Sequence, residues 1–178
     1  MKNLLVVVDY QNDFVDGALG FEEAQALEEG IAALVEKRLS EGWAVVFTRD
    51  THGADYLSTR EGRFLPVPHC LKGSKGHRLY GRLAAYETEK DPRWKVIDKV
   101  TFGSADLPKT ALEMCGGVPQ RAELCGVVTN ICVLSNAVVL QTAFPDTPVA
   151  VHGDLCAAAG GAHQPALEAL KGLGVEIL

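Results

Sequence analysis

A chain of 178 residues with a formal net charge of −6 has the length of one ordinary domain, enough to bury roughly 70% of its unfolded surface. Acids and bases are interspersed, which argues against a nucleic-acid footprint or a membrane-binding basic patch, and no apolar run approaches the ~18 residues of a membrane span. The five cysteines, Cys70, Cys115, Cys125, Cys132 and Cys156, are odd in number and lack C-x-x-C spacing, which argues against a disulfide framework and a four-cysteine zinc site and suits a reducing cytoplasm.

Met1 is followed by one lysine and then by an apolar run, so no cleavable signal segment is expected. Asn3 to Val8 is too short for a helix and core-like throughout, which predicts a parallel strand buried on both faces. It ends at Asp9, a carboxylate placed where ligand sites of open α/β sheets collect. Phe14, a few residues on, fits either a core plug or a pocket wall, while Asp13 and Asp16 read as solvated or capping residues. From Glu22, the positions Ala24, Leu27, Ile31, Leu34 and Val35 trace one apolar helical face that Gly42 terminates.

Ala44 to Thr48 predicts a second strand, followed by Arg49, Asp50, Thr51 and His52. Asp50 and His52 can point at one centre, with His69 beyond a loop rich in Gly, Pro and Arg. An Asp and two His suit a first-row divalent metal such as zinc, iron or manganese, although spacing alone does not separate them from solvent-facing loop residues. Lys72 to Arg82 is basic and glycine-containing but lacks the order of a P-loop, so it reads as a surface loop in which His77 and Tyr80 are structural. No fingerprint for an organic cofactor occurs.

Lys95 to Ile97 predicts a third strand that delivers Asp98 and Lys99. A helix from about Leu107 to Met114 is ended by Gly116-Gly117. Leu124 to Val128 then reads as a buried strand, and Val133, Ala137, Leu140 and Phe144 recur at helical spacing. Thr129 or Asn130 can cap that helix, placing Cys132 in its first turn, where the helix end favours thiolate. A small buried core cysteine fits the same residues. Pro148 to His152 and Val175 to Leu178 complete six strands, with a helix between them marked by Pro165, Leu167, Leu170 and Leu173, and His152 and His163 read as structural. Strand and helix alternate without hairpin signals, which predicts a single α/β domain, a three-layer sandwich with a mostly parallel sheet.

VVTNICVLSNA resembles the nucleophile segment of the isochorismatase-like cysteine hydrolases, the superfamily that holds nicotinamidases and N-carbamoyl amidohydrolases. VVVDYQNDF, FTRDTH, PVPHCLKGSKG and DKVTFGSAD resemble further family segments, in family order, over nearly the whole chain. The resemblance implies a triad of Asp9, Lys99 and Cys132, an oxyanion hole from the backbone N–H groups of Val128 and Cys132, and a cis peptide between Val127 and Val128. Similarity to nicotinamidases implies that Asp50, His52 and His69 hold a divalent metal and that an aromatic residue stacks on the substrate ring, a position to which Phe64 is nearest, at a shifted register. The sequence departs from the family at Asn130, where Asp is usual. The implied activity is release of ammonia from a small amide, nicotinamide first, by a homodimer or homotetramer. A metal-free relative acting on another amide, a ureido compound or isochorismate is the alternative, and a non-enzymatic binding domain is a third reading, disfavoured by polar groups at three strand ends.

Overall fold

The computed structural model describes residues 1–178, and its centre is one six-stranded sheet in the order β3-β2-β1-β4-β5-β6. The strands are β1 (Asn3–Val8), β2 (Ala44–Asp50), β3 (Trp94–Lys99), β4 (Arg121–Val127), β5 (Val149–Ala157) and β6 (Glu176–Ile177). Every pairing is parallel, so the sheet is wholly rather than mostly parallel. The helices are α1 (Asn12–Val15), α2 (Glu22–Gln25), α3 (Glu28–Ser40), α4 (Arg60–Phe64), α5 (Leu107–Cys115), α6 (Leu134–Ala143) and α7 (His163–Gly172).

The alternation of side chains along β1 divides the core. Leu4, Val6 and Val8 pack on the face covered by Leu107 and Ala111 of α5, Leu140 of α6 and Leu170 of α7. Leu5 and Val7 pack on the other face, with Ile31, Val35 and Leu39 of α3. A strand buried on both sides must be apolar at every position, which is why β1 shows no polar alternation. The result is the three-layer α/β sandwich that the pattern predicts.

Several boundaries differ from the sequence reading. The single helix expected from Glu22 is two, α2 and α3, because the chain steps sideways at Ala26 and Leu27 while keeping its apolar face inward. The fifth strand runs on to Ala157 rather than stopping at His152, with Asp154 exposed inside it. β5 also shifts register against β4 between Leu124 and Gly126. Gly126 has φ +114°, and a Cβ there would run into the backbone of Val8, so β4 approaches β1 as only glycine allows. Near the amino end of β4, buried Glu123 accepts from Arg38 of α3 and Arg121 and pairs with His152 of β5 at 2.8 Å, tying three elements together.

The strand order reverses between β1 and β4. β1 neighbours β2 on one side and β4 on the other, and the connection between them crosses from one half of the sheet to the other. The crevice beyond the carboxyl ends of such a pair is where open α/β sheets place their ligands.

Candidate active site

Asp9 follows the last residue of β1 and turns the chain with φ +47°, a left-handed conformation uncommon outside glycine. Thr48 at the end of β2 holds it: the Thr48 hydroxyl donates to Asp9 Oδ1 at 2.7 Å and the Asp9 N–H is 3.2 Å from the Thr48 carbonyl. Oδ2 accepts no well-directed hydrogen bond and is held by charge, with Lys99 Nζ 2.7 Å away. Lys99, the last residue of β3, reaches across β2 to do this. Its ammonium also lies 3.3 Å from Asp50 Oδ1 and 3.7 Å from Cys132 Sγ.

Cys132 arrives from the far side of the switch point. After β4 the peptide between Val127 and Val128 is cis, and Thr129–Val133 forms a wide turn in which the Val133 N–H bonds back to the Val128 carbonyl at 3.2 Å. Turns of this width are frequent at functional sites. Neither expected cap forms: the Thr129 hydroxyl engages His163 Nδ1 at 2.9 Å, and Asn130 is exposed. Asn136 instead anchors the turn, donating to the Cys132 carbonyl at 2.8 Å and accepting from the Ser104 N–H at 2.9 Å.

Burial governs the electrostatics. Asp9 is fully buried, which raises its carboxyl above the usual range, and the ammonium of Lys99 only partly opposes that. The Cys132 thiol is pushed well up by burial and by the neighbouring Asp9, against the pull of Lys99. Burial thus acts against the thiolate that the helix end was expected to favour. Burial alone would lower Lys99, but the charges around it, Asp9 first, raise it, so it stays an ammonium.

A second cluster abuts the first through Asp50. His52 Nε2 lies 2.9 Å and His69 Nε2 3.3 Å from Asp50 Oδ2, and Glu61 of α4 adds Oε1 at 3.5 and 3.8 Å from the same two nitrogens. Ligand atoms around a tetrahedral metal, at bonds of about 2.1 Å, sit about 3.4 Å apart, so these spacings suit one. His69 is prepared for it, because its Nδ1 faces the Val67 carbonyl at 2.8 Å, which fixes the tautomer that leaves Nε2 as a free lone pair. Burial would lower His52, yet its contacts with Asp50 and Glu61 raise it to about 9, the mark of a site that attracts positive charge. Asp50 is held well below the usual carboxylate range: burial opposes this, and the contacts with His52 and Lys99 prevail.

The aromatic neighbours differ from expectation. Phe14 is buried and meets the edge of the His69 ring at 5.3 Å. Phe64 is 86% exposed at the end of α4 and does not join the cluster, whereas Glu61 of the same short helix does. Tyr56 stands against both imidazoles, at 4.5 Å from His52 and 5.0 Å from His69. Sequence reasoning missed Tyr56, Glu61 and Asn136. Asp13, read as a solvated or capping residue, accepts from the Cys70 N–H at 2.7 Å and so supports the backbone beside His69.

The pattern of the Isochorismatase domain family matches residues 3–178. The chain belongs to the isochorismatase family. An isochorismatase family protein of Bacillus subtilis (strain 168), PncA, is 36% identical over 143 residues, covering 78% of each chain. The crystal structure of a pyrazinamidase/nicotinamidase from Streptococcus mutans UA159 matches with a TM-score of 0.88 and 31% identity over 99% of both chains. A pyrazinamidase of Pyrococcus horikoshii, solved in complex with zinc, matches with a TM-score of 0.84 and 26% identity over 100% of this chain and 99% of that one.

Proposed function

We propose that this member of the isochorismatase family hydrolyses a small amide, nicotinamide first, to the acid and ammonia, through a thioester on Cys132. Amide hydrolysis is the activity named for its full-length structural relatives. The observation that carries the cysteine mechanism is the convergence of Asp9, Lys99 and Cys132 at a strand-order switch point, with the ammonium 2.7 Å from the carboxylate and 3.7 Å from the sulfur.

Asp9 takes the thiol proton as Sγ attacks the carbonyl carbon, a transfer suited to a carboxylate whose pKa burial has raised. Lys99 keeps the pair oriented and offsets the negative charge that passes between them. The backbone N–H groups of Val128 and Cys132 receive the developing oxyanion. Asp9 then returns the proton to the leaving nitrogen, and ammonia departs. In the second half Asp9 takes a proton from water, the hydroxide attacks the thioester carbon, and the thiolate recovers the proton as the acid leaves. Phe14 and Tyr56 stand against the histidine rings, where they would flank a bound substrate ring.

Asp50, His52 and His69, joined by Glu61, fit a divalent metal, and such an ion would supply a Lewis-acid site for a ring nitrogen of the substrate. The positioning of the amide over Cys132 gains from any such second anchor. All five cysteines are free, which supports a cytoplasmic setting.

Ammonia release from a panel of amides beginning with nicotinamide, alongside elemental analysis of the purified protein, tests this reading. Cys132→Ala is expected to abolish turnover with the fold intact. Undiminished turnover in that variant would refute the cysteine mechanism, and a wild-type protein inactive on every amide would refute the activity.

A further inference from the structure

Gln11 is fully buried two residues beyond Asp9, and its carboxamide is aimed at the backbone of one residue of the neighbouring strand. Oε1 accepts from the Asp50 N–H at 2.7 Å, and Nε2 donates to the Asp50 carbonyl at 2.9 Å. The second hydrogen of Nε2 goes to the His77 carbonyl, also at 2.9 Å. These partners fix which end of the amide is which, since a backbone N–H can meet only the oxygen and two carbonyls only the nitrogen.

The contact replaces a strand. β1 pairs with β2 as far as Val8 and Thr48, and then Asp9 leaves the sheet. Asp50 therefore has β3 on one side, in register with Lys99, and no backbone of β1 on the other. Gln11 supplies the missing donor and acceptor, as an extra strand residue would. No other residue type carries both at that reach: Glu lacks the donors, and Asn is one methylene shorter.

Asp50 needs close placement because its two oxygens face different partners. Oδ1 meets Lys99 at 3.3 Å, and Oδ2 meets His52 and His69 at 2.9 and 3.3 Å. We infer that Gln11 is a positioning residue: by clamping the Asp50 backbone it lets one carboxylate serve the ammonium of the triad and the histidine cluster together. The inference rests on the proposed reading of the site for its kinetic consequence, and on geometry alone for its binding consequence.

Zinc titration, steady-state kinetics on nicotinamide and melting temperature, measured for wild type, Gln11→Met and Gln11→Asn, test it. Each folded variant is expected to bind zinc at least tenfold more weakly and to lose at least tenfold in kcat. A merely structural glutamine would lower the melting temperature and leave the zinc affinity of the folded protein unchanged. Wild-type zinc affinity and kcat in either folded variant would overturn the inference. Should both variants fail to fold, the wild-type protein decides: the Gln11 side-chain amide signals in a nuclear magnetic resonance spectrum should shift as zinc is added, with the dissociation constant of zinc binding, and unshifted signals would overturn it. An inactive wild type that binds zinc would refute the amidase reading and leave the comparison of affinities intact.

Discussion

Asp50 and Lys99 meet twice, as register partners of β2 and β3 and through a 3.3 Å contact between Oδ1 and Nζ. The proposed triad lysine and the candidate metal carboxylate are thus held by the same pair of strand ends. Their charges are coupled by position rather than by any flexible segment.

The Lys99 ammonium lies at hydrogen-bonding distance from Cys132, the proposed nucleophile. Lys99→Met should move the pH at which iodoacetamide alkylates Cys132 upward, since Lys99 pulls the thiol pKa down. Turnover should fall by about 10²-fold or more. An alkylation profile unchanged from wild type would leave Lys99 without a part in activating the thiol.

Removal of an imidazole separates positioning from chemistry. His52→Ala, or chelation of the protein, should cut hydrolysis of a pyridine amide by about a hundredfold, because a ring misplaced by ~1 Å loses its approach to Sγ. A small activated ester that makes no contact with the histidines should be spared. The ratio of the two losses, in variants verified as folded by circular dichroism, is the measurement. Equal losses would mean that the cluster acts on the carbonyl itself or supports the fold.

Glu123 offers a test of stability remote from the chemistry. Burial opposes its ionisation, but hydrogen bonds from His152, Arg121 and Arg38 prevail and lower its pKa from 4.5 to about 2. A lowered carboxylate stabilises the fold fully above its unfolded value, and that contribution disappears as pH falls through the folded one. Urea unfolding should therefore show Glu123→Gln less stable than wild type at pH 7 by on the order of 1–2 kcal/mol, after allowance for solvent screening of the arginines. The gap should close as the pH is taken from 4.5 down toward about 2. A gap that persists at the acid end would mean that the carboxylate matters through its shape alone.

Self-association is the further expectation for this family member. Sedimentation velocity at micromolar concentration should show a dimer or tetramer, and monomer alone would remove the expectation.

The strand ends were legible because each apolar run stops at a polar residue, so Asp9, Lys99 and the segment around Asp50 announce themselves. The sixfold strand count and the buried face of α6 follow from the same periodicities. Glu61 was hidden because its segment reads as a loop rich in Gly, Pro and Arg, and only folding brings the one carboxylate of α4 back over the histidines. Gln11 was hidden because a neutral amide gives no charge pattern and its partners are backbone groups 39 and 66 residues away. Phe64 misled for the opposite reason: an aromatic residue near Pro68 and His69 in sequence stands exposed at the carboxyl end of α4. The cap expected from Thr129 failed because His163, from the last crossover, engages that hydroxyl first.

Gly126 shows how intolerance to substitution can arise without chemistry in this fold. It carries no functional group, yet its φ of +114° and its closeness to Val8 shut the position to every side chain. In a saturation library scored for survival of activity, position 126 would be as empty as position 132. Scored for soluble protein, the two would part: Cys132 variants would accumulate normally, and those at Gly126 would be lost with the sheet that can no longer close.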